Sequence, residues 1–325
     1  MPADDTRIVA VAGECVVDLV ADEPGGAYVA LPGGSSANVA VGLARLGVPT
    51  RMIARIGTDP FGRTLRDHLA GNGVGTETVV AAPEPSSVAL VHHDADGVPT
   101  FDLRIDGTSD WQWTEAEAAG LRVDGLAALH IGSLALVMPP GADVLAGLAR
   151  RVRNEATISY DPNCRPAVMS GVADARPRIE ALLRVADVVK VSDADLAWLR
   201  PDGGHESFAD ELIEAGVSVV AVTHGAAGSV VTGRRCPPRQ VPAYRSAGVV
   251  DTVGAGDSYM SAVLAGLDRH GLLGADRRDA LRSAGAPALA EIFDEASRAA
   301  ALTCARRGAN PPTREELDAF HPLDT

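Results

Sequence analysis

Lysine is nearly absent from this chain. Among 325 residues Lys190 is the only one, although arginine is plentiful. A phosphate-binding loop of the G-x-x-x-x-G-K type is therefore excluded, because its lysine must follow a glycine-rich stretch. If the chain handles a nucleotide, it does so on another fold. The shortage itself reads as compositional bias, since Arg, Ala and Gly are all abundant. Aromatic residues make up only 4%. The core must be built from Ala, Val and Leu, and a pocket that stacks a nucleobase between rings has little to draw on. The four cysteines, Cys15, Cys164, Cys236 and Cys304, are scattered without a C-x-x-C pair, so neither a disulfide framework nor a metal knuckle is expected. The eight histidines form no ligand spacing. No apolar run approaches membrane-spanning length, and residues 1–7 are acidic, with no apolar segment after a basic start. A soluble, reduced, cytoplasmic protein is expected. The net charge of −14, without a basic run, argues against nucleic acid as a partner.

What is present is a globular chain with 46% hydrophobic residues, long enough for one large domain or two. Short apolar runs at 8–12, 126–131, 158–160, 188–191 and 217–222 each end in a polar residue or glycine: Gly13-Glu14, Gly132-Ser133, Asp161, Ser192, Thr223. Helical patterns such as 142–152 and 208–215 separate the later ones. Continuous apolar strands alternating with helices predict a parallel sheet covered on both faces. In such sheets ligands lie beyond the carboxyl ends of the strands, where these polar residues fall. Residues 26–32 and 87–104 alternate instead, with His92-His-Asp-Ala-Asp-Gly97 placed as a hairpin turn would be, and predict a small antiparallel sheet. Pro201-Asp-Gly-Gly204 and Cys236-Pro-Pro238 read as loops.

The segment Asp251-Thr-Val-Gly-Ala-Gly-Asp257 carries the most chemistry. It follows the β-branched Gly248-Val-Val250 and runs into a helical pattern of Met260, Val263, Leu264 and Leu267, with Gly271 at the stop. A glycine-rich turn thus opens a helix whose first amides are unpartnered and carry the positive end of its dipole, which makes an anion hole. Asp257 stands in the first turn. A carboxylate beside an anion hole suits phosphoryl transfer to a hydroxyl, with Asp257 as base and the amides of Gly254, Ala255 and Gly256 facing the moving charge.

This segment resembles the C-terminal motif of the PfkB (ribokinase-like) carbohydrate kinases. Gly33-Gly-Ser-Ser-Ala-Asn-Val-Ala-Val-Gly-Leu-Ala-Arg-Leu-Gly47 is similar to that family's N-terminal motif. The resemblance continues through residues 13–18, 161–166, 190–195, 223–228 and 306–309, and covers nearly the whole chain in order. It implies one domain over 1–325, a three-layer, doubly wound, mainly parallel α/β sheet with a small antiparallel β lid formed by segments near 14–33 and 87–112. It assigns Asp18, Gly33, Gly34 and Asn38 to the sugar. A carboxylate at Asp18 would accept two sugar hydroxyls. Asn163 and Arg165, in Asp-Pro-Asn-x-Arg, are more like fructokinases and 2-keto-3-deoxygluconate kinases than ribokinases. Ser192 and Asp195 stand where many members have Asn-x-x-Glu, which organises Mg²⁺ through water. Here both positions differ, as in the fructokinase branch. Thr223, Gly225 and Gly228 resemble the nucleotide loop, and Ser297 falls at the adenine pocket. Asp251, Val253, Thr303, Arg306 and Gly308 map onto a monovalent-cation site, with Pro312 in place of the usual Ser, which leaves K⁺ activation open.

The expectation is an ATP- and Mg²⁺-dependent sugar kinase acting on a primary hydroxyl, most like a fructokinase. Arg165 keeps a 2-keto-3-deoxygluconate kinase in play. Scarce aromatics count against a nucleoside kinase, and the intact Gly254-Ala-Gly-Asp257 counts against a sugar-binding protein without catalysis. The apolar residues Leu31, Val88 and Leu90 on the lid predict a homodimer through that sheet.

Overall fold

The computed structural model describes residues 7–21, 26–93, 99–244 and 248–321. The expected turn at 94–97 and the N-terminal six residues lie outside them. Thirteen strands are present among the described residues: β1 (Ile8–Ala12), β2 (Val16–Ala21), β3 (Tyr28–Gly33), β4 (Thr50–Gly57), β5 (Val79–Ala82), β6 (Ser87–His93), β7 (Pro99–Arg104), β8 (Leu126–Gly132), β9 (Thr157–Asp161), β10 (Val188–Ser192), β11 (Val219–Thr223), β12 (Ser229–Gly233) and β13 (Cys236–Val241).

Nine of them form one sheet in the order β13-β12-β11-β10-β9-β8-β1-β4-β5. From β11 to β5 every pairing is parallel. The central strands are apolar on both sides because both faces are covered. Val9 and Val11 pack with Leu264 and Phe293 from helices Ala255–Arg269 and Ala286–Cys304. Ala10 and Ile131, which face the other way, pack with Leu145 and Leu182 from helices Gly141–Val152 and Ala175–Leu183. This is the three-layer, doubly wound α/β arrangement expected. β1 has β4 on one side and β8 on the other, so the winding reverses there. A crevice opens at the carboxyl ends of such a switch point.

The segment 236–238, read as a loop, is instead the start of β13. Proline is tolerated in this strand because it is the outermost of the sheet. Its register slips between Val231 and Gly233, where the two prolines need not donate to the ladder. The β-branched residues before the Asp251 motif form no strand, and Val249 and Val250 are exposed.

The second sheet has the order β3-β2-β6-β7. The pairs β2–β3 and β6–β7 are antiparallel, and the central pair β2–β6 is parallel, with Val16 opposite Ser87 and Asp18 opposite Ala89. β2 starts shortly after β1 ends, so this sheet stands on the carboxyl edge of the main one, over the crevice. Its outer strand β3 exposes Tyr28 and Val29, at 46% and 43% of their surface.

Candidate active site

Helix Ala255–Arg269 begins as its sequence dictates. Gly254, the residue before it, has φ +75°, a left-handed conformation that costs glycine nothing, and a Cβ there would lie 2.6 Å from that of Ala309. The turn delivers Asp257 into the first turn, buried at 9% exposure. Its carboxylate is held from a second helix, Ser35–Arg45. Ser35 Oγ donates to Oδ1 at 2.7 Å and Asn38 Nδ2 donates to Oδ2 at 2.8 Å. Two bonds leave about half of the four acceptor positions of a carboxylate unused. The two motifs at opposite ends of the chain therefore meet at one carboxylate.

Lys190 lies against the same helix start. Its Nζ is 3.0 Å from where a Cβ on Gly256 would sit, and it donates to Asp161 Oδ2 at 2.8 Å. Burial pushes the Asp161 carboxyl up to about 6, against the pull of Lys190. Burial alone would depress the lysine, but Asp161, Asp195 and Asp257 outweigh it and hold the ammonium above its ordinary range. The pair is therefore ionised at neutral pH. The one lysine of the chain, to which composition gave no role, is a buried cation at the candidate anion hole. The end of β9 marks Asp161 as a polar position facing the crevice, whereas Lys190 lies inside the run 188–191 and carries no such signal; only the fold brings the pair to Gly256.

Asp18 lies on β2, facing this group. A Cβ on Gly33 would come within 2.4 Å of Asp18 Oδ2, so the glycine makes room for that carboxylate. Burial, then the charge of Asp257, pushes Asp18 up to about 6, and Arg165 opposes the rise. Asp18, Asp257 and Arg165 thus sense one another across the crevice. Asn163 follows β9 with φ +41°, and its Nδ2 is buried without a protein partner. Arg165 Nη1 donates to Asn163 Oδ1 at 2.6 Å, which steadies an otherwise exposed guanidinium. Glu14, at the end of β1, is buried, and burial pushes it up to about 7, with Oε2 lacking a partner.

A cleft of about 700 Å³ continues from this group. Thr223, Gly225, Gly228 and Ser297 line it, together with Ala255 and Gly256. Four of the five residues expected at the nucleotide are therefore brought together beside the helix start; the fifth, Ser192, is not among those lining the cleft. Ser192 pairs with Thr223 in register but caps helix Asp193–Leu199. Asp195 completes that capping box. Its Oδ2 accepts from Ser192 N and Oγ, and Oδ1 accepts from Cys164 N at 2.6 Å. Asp251 joins the two segments expected around a monovalent cation: Oδ1 accepts from Val253 N at 3.0 Å and Oδ2 from Gly308 N at 2.8 Å. Thr303 is fully buried nearby, with Oγ1 bonded to Ala299 O. No group of three or more His, Cys, Asp or Glu side chains that could hold a metal occurs among the described residues. Among those residues no helix is long and apolar enough to cross a membrane.

A doubly wound α/β sheet with a carboxylate at a glycine-rich helix start and a cleft beside it defines a phosphotransferase-type site. The chain belongs to the pfkB family of carbohydrate kinases: residues 6–316 match the model of "pfkB family carbohydrate kinase". It is 32% identical to a fructokinase of Rhizobium leguminosarum bv. trifolii over 268 residues, covering 80% of each chain. It is 30% identical to a fructokinase of Vibrio alginolyticus over 323 residues, covering 95% of this chain and 97% of that one. Among solved structures, fructokinase from Xylella fastidiosa with bound ATP superposes with a TM-score of 0.88 at 25% identity, covering 97% and 98% of the two chains. Fructokinase from Vibrio cholerae O395, bound to fructose, ADP and calcium, superposes with a TM-score of 0.82 at 25% identity, covering 98% and 99%. This chain is a sugar kinase.

Proposed function

We propose that the enzyme transfers the γ-phosphoryl group of ATP to a primary hydroxyl of fructose. The observation that carries this reading is Asp257, held by Ser35 and Asn38 at the head of a helix that also walls the nucleotide-sized cleft. Asp257 takes the proton of the sugar hydroxyl, whose oxygen attacks the γ-phosphorus in line. The bond to the β–γ bridging oxygen breaks, and ADP leaves. The amides of 254–257 and the ammonium of Lys190 face the charge that gathers on the transferring group. Asp18, Gly33, Gly34 and Asn38 surround the sugar, with Asn163 Nδ2 a free donor at its rim. Thr223, Gly225, Gly228, Ser192 and Ser297 form the nucleotide side.

Mg²⁺ bound to the nucleotide would supply further neutralisation of the phosphates. The carboxylate of Asp195 would act on that ion only through a water of its shell, which fits a metal that keeps several waters and lacks a protein cage. The Asp251, Val253, Thr303, Arg306 and Gly308 segment is read as a K⁺ site built largely of backbone oxygens. The small sheet acts as the lid, and its exposed outer strand supports a homodimer through that face. Four free cysteines accord with a reducing cytoplasm.

Fructose is favoured because segments 13–18 and 33–39 contain no basic residue to meet a substrate carboxylate. The proximity of Arg165 to Asp18 sustains a sugar acid as a second reading. ADP release across a sugar panel, with kcat/KM for fructose and 2-keto-3-deoxygluconate in wild type and Arg165→Ala, decides between them. A wild-type preference for the acid, lost in the variant, overturns the fructose assignment. No turnover with any sugar overturns the kinase reading itself.

A further inference from the structure

Asp110 is fully buried and bonded to both roots of the small sheet. It sits on a turn that follows β7. Its Oδ1 accepts from Cys15 N at 2.8 Å, just before β2, and its Oδ2 accepts from Ser87 Oγ at 2.6 Å, the first residue of β6. Ser87 Oγ also meets Thr108 Oγ1 at 2.6 Å, and Thr108 Oγ1 donates back to Ile105 O. The turn itself is fastened to the main sheet. Arg55 on β4, 5% exposed, donates to Ser109 O at 3.1 Å, and Trp111 and Trp113 are buried in the main core. One carboxylate therefore ties three of the small sheet's connections to a point that belongs to the main sheet.

The consequence runs along a ladder. Cys15 fixes where β2 begins, and Ser87 fixes where β6 begins. The two strands are in register from Val16–Ser87 to Asp18–Ala89. The position of the Asp18 carboxylate over Asp257 is thus set from below by Asp110. We propose that Asp110 is a positioning residue of the sugar site, which holds Asp18 at its working distance from Asp257. This rests on the reading of Asp18 as a sugar ligand. Asparagine fits the same place: its oxygen accepts from Cys15 N, and its amide donates to Ser87 Oγ, which turns its own proton toward Thr108. Alanine severs both ties.

The test compares KM for fructose and for ATP in Asp110→Ala, Asp110→Asn, Asp18→Ala and the Asp110→Ala/Asp18→Ala double variant. A displacement of the site by a fraction of an ångström should raise the fructose KM of Asp110→Ala roughly tenfold, leaving the ATP KM unchanged. Asp110→Asn should restore it. In the double variant Asp110→Ala should add less than about twofold, because the residue it acts through is gone. A general loosening of the fold would raise both KM values and add in full, and that result overturns the proposal. If Asp110→Ala does not fold, Ser87→Ala decides: an unchanged fructose KM overturns the proposal, and a selective rise supports it. If Asp18→Ala weakens fructose binding and Asp110→Ala does not, this inference alone fails. An unchanged fructose KM in Asp18→Ala removes the sugar role of Asp18 and this inference with it.

Discussion

Replacing Asp257 with asparagine isolates the proton-accepting role from the structural one. The two hydrogen bonds that orient the carboxylate come from Asn38 Nδ2 and Ser35 Oγ. An asparagine carbonyl still accepts from Asn38, and its amide donates to Ser35, whose hydroxyl turns to accept. Both partners of the side chain are kept, so the fold and the nucleotide cleft should survive. Alanine would orphan the Asn38 amide, at a cost of about 1–3 kcal/mol, and would confound the result. Loss of a positioned base lowers turnover by roughly two to four decades. At about 1.4 kcal/mol per decade this is roughly 3–5 kcal/mol of transition-state stabilisation. The assay is coupled ADP release at saturating sugar and nucleotide, with nucleotide affinity measured separately by calorimetry and folding by thermal melting. Turnover above about a tenth of wild type would refute the base assignment. So would a collapse of nucleotide affinity in parallel with the rate, because the residue would then be organising the cleft.

Asp18 should make sugar binding pH-dependent: burial and Asp257 raise its carboxyl to about 6, so the accepting carboxylate is lost as pH falls through 6. The fructose KM should rise below that point in wild type and stay flat in Asp18→Asn; parallel profiles would contradict this. Glu14, an acid raised from 4.5 to about 7, favours the folded state while protonated. Its contribution is complete below pH 4.5 and is lost as pH climbs to 7, amounting to about 3 kcal/mol. Urea denaturation of Glu14→Gln should show a correspondingly smaller loss over that window, and an unaltered pH dependence would count against it. Lys190→Met leaves Asp161 buried without its counter-charge and should cost about 3–5 kcal/mol, read from the same denaturation curves; a change below about 1 kcal/mol would show that the pair is not load-sharing. Val29→Glu on the exposed strand β3 should shift sedimentation from dimer to monomer, and a wild type that sediments as a monomer at high concentration removes the dimer reading.

The strands legible in the sequence were those buried on both faces. β1, β8, β9, β10 and β11 announce themselves as short, mainly apolar runs with polar ends, interrupted at most by a single charged or imidazole side chain such as Lys190 or His130, and those ends mark the crevice. β4 carries Arg51 and Arg55 within its run, and β13 carries two prolines, so neither shows the pattern that burial imposes. Their place comes from partners far along the chain. The site divides the same way. Asp257, Gly254 and Asn38 lie in local motifs whose turn and cap chemistry is written in consecutive residues. Ser35 was within a motif but carried no individual signal. Lys190 and Asp110 depend on contacts such as Asp110 with Cys15, 95 residues away, which no local pattern encodes.

A single buried lysine also makes the folded chain a chemical reporter. Apart from the N-terminal amine, its surface offers nothing to amine-directed acylating reagents. Such a reagent would modify Lys190 only when the crevice opens, and a bound nucleotide or sugar would slow that reaction. Mass spectrometry of one peptide would then follow the opening of the enzyme through acylation of its single lysine, with no substitution made in the chain.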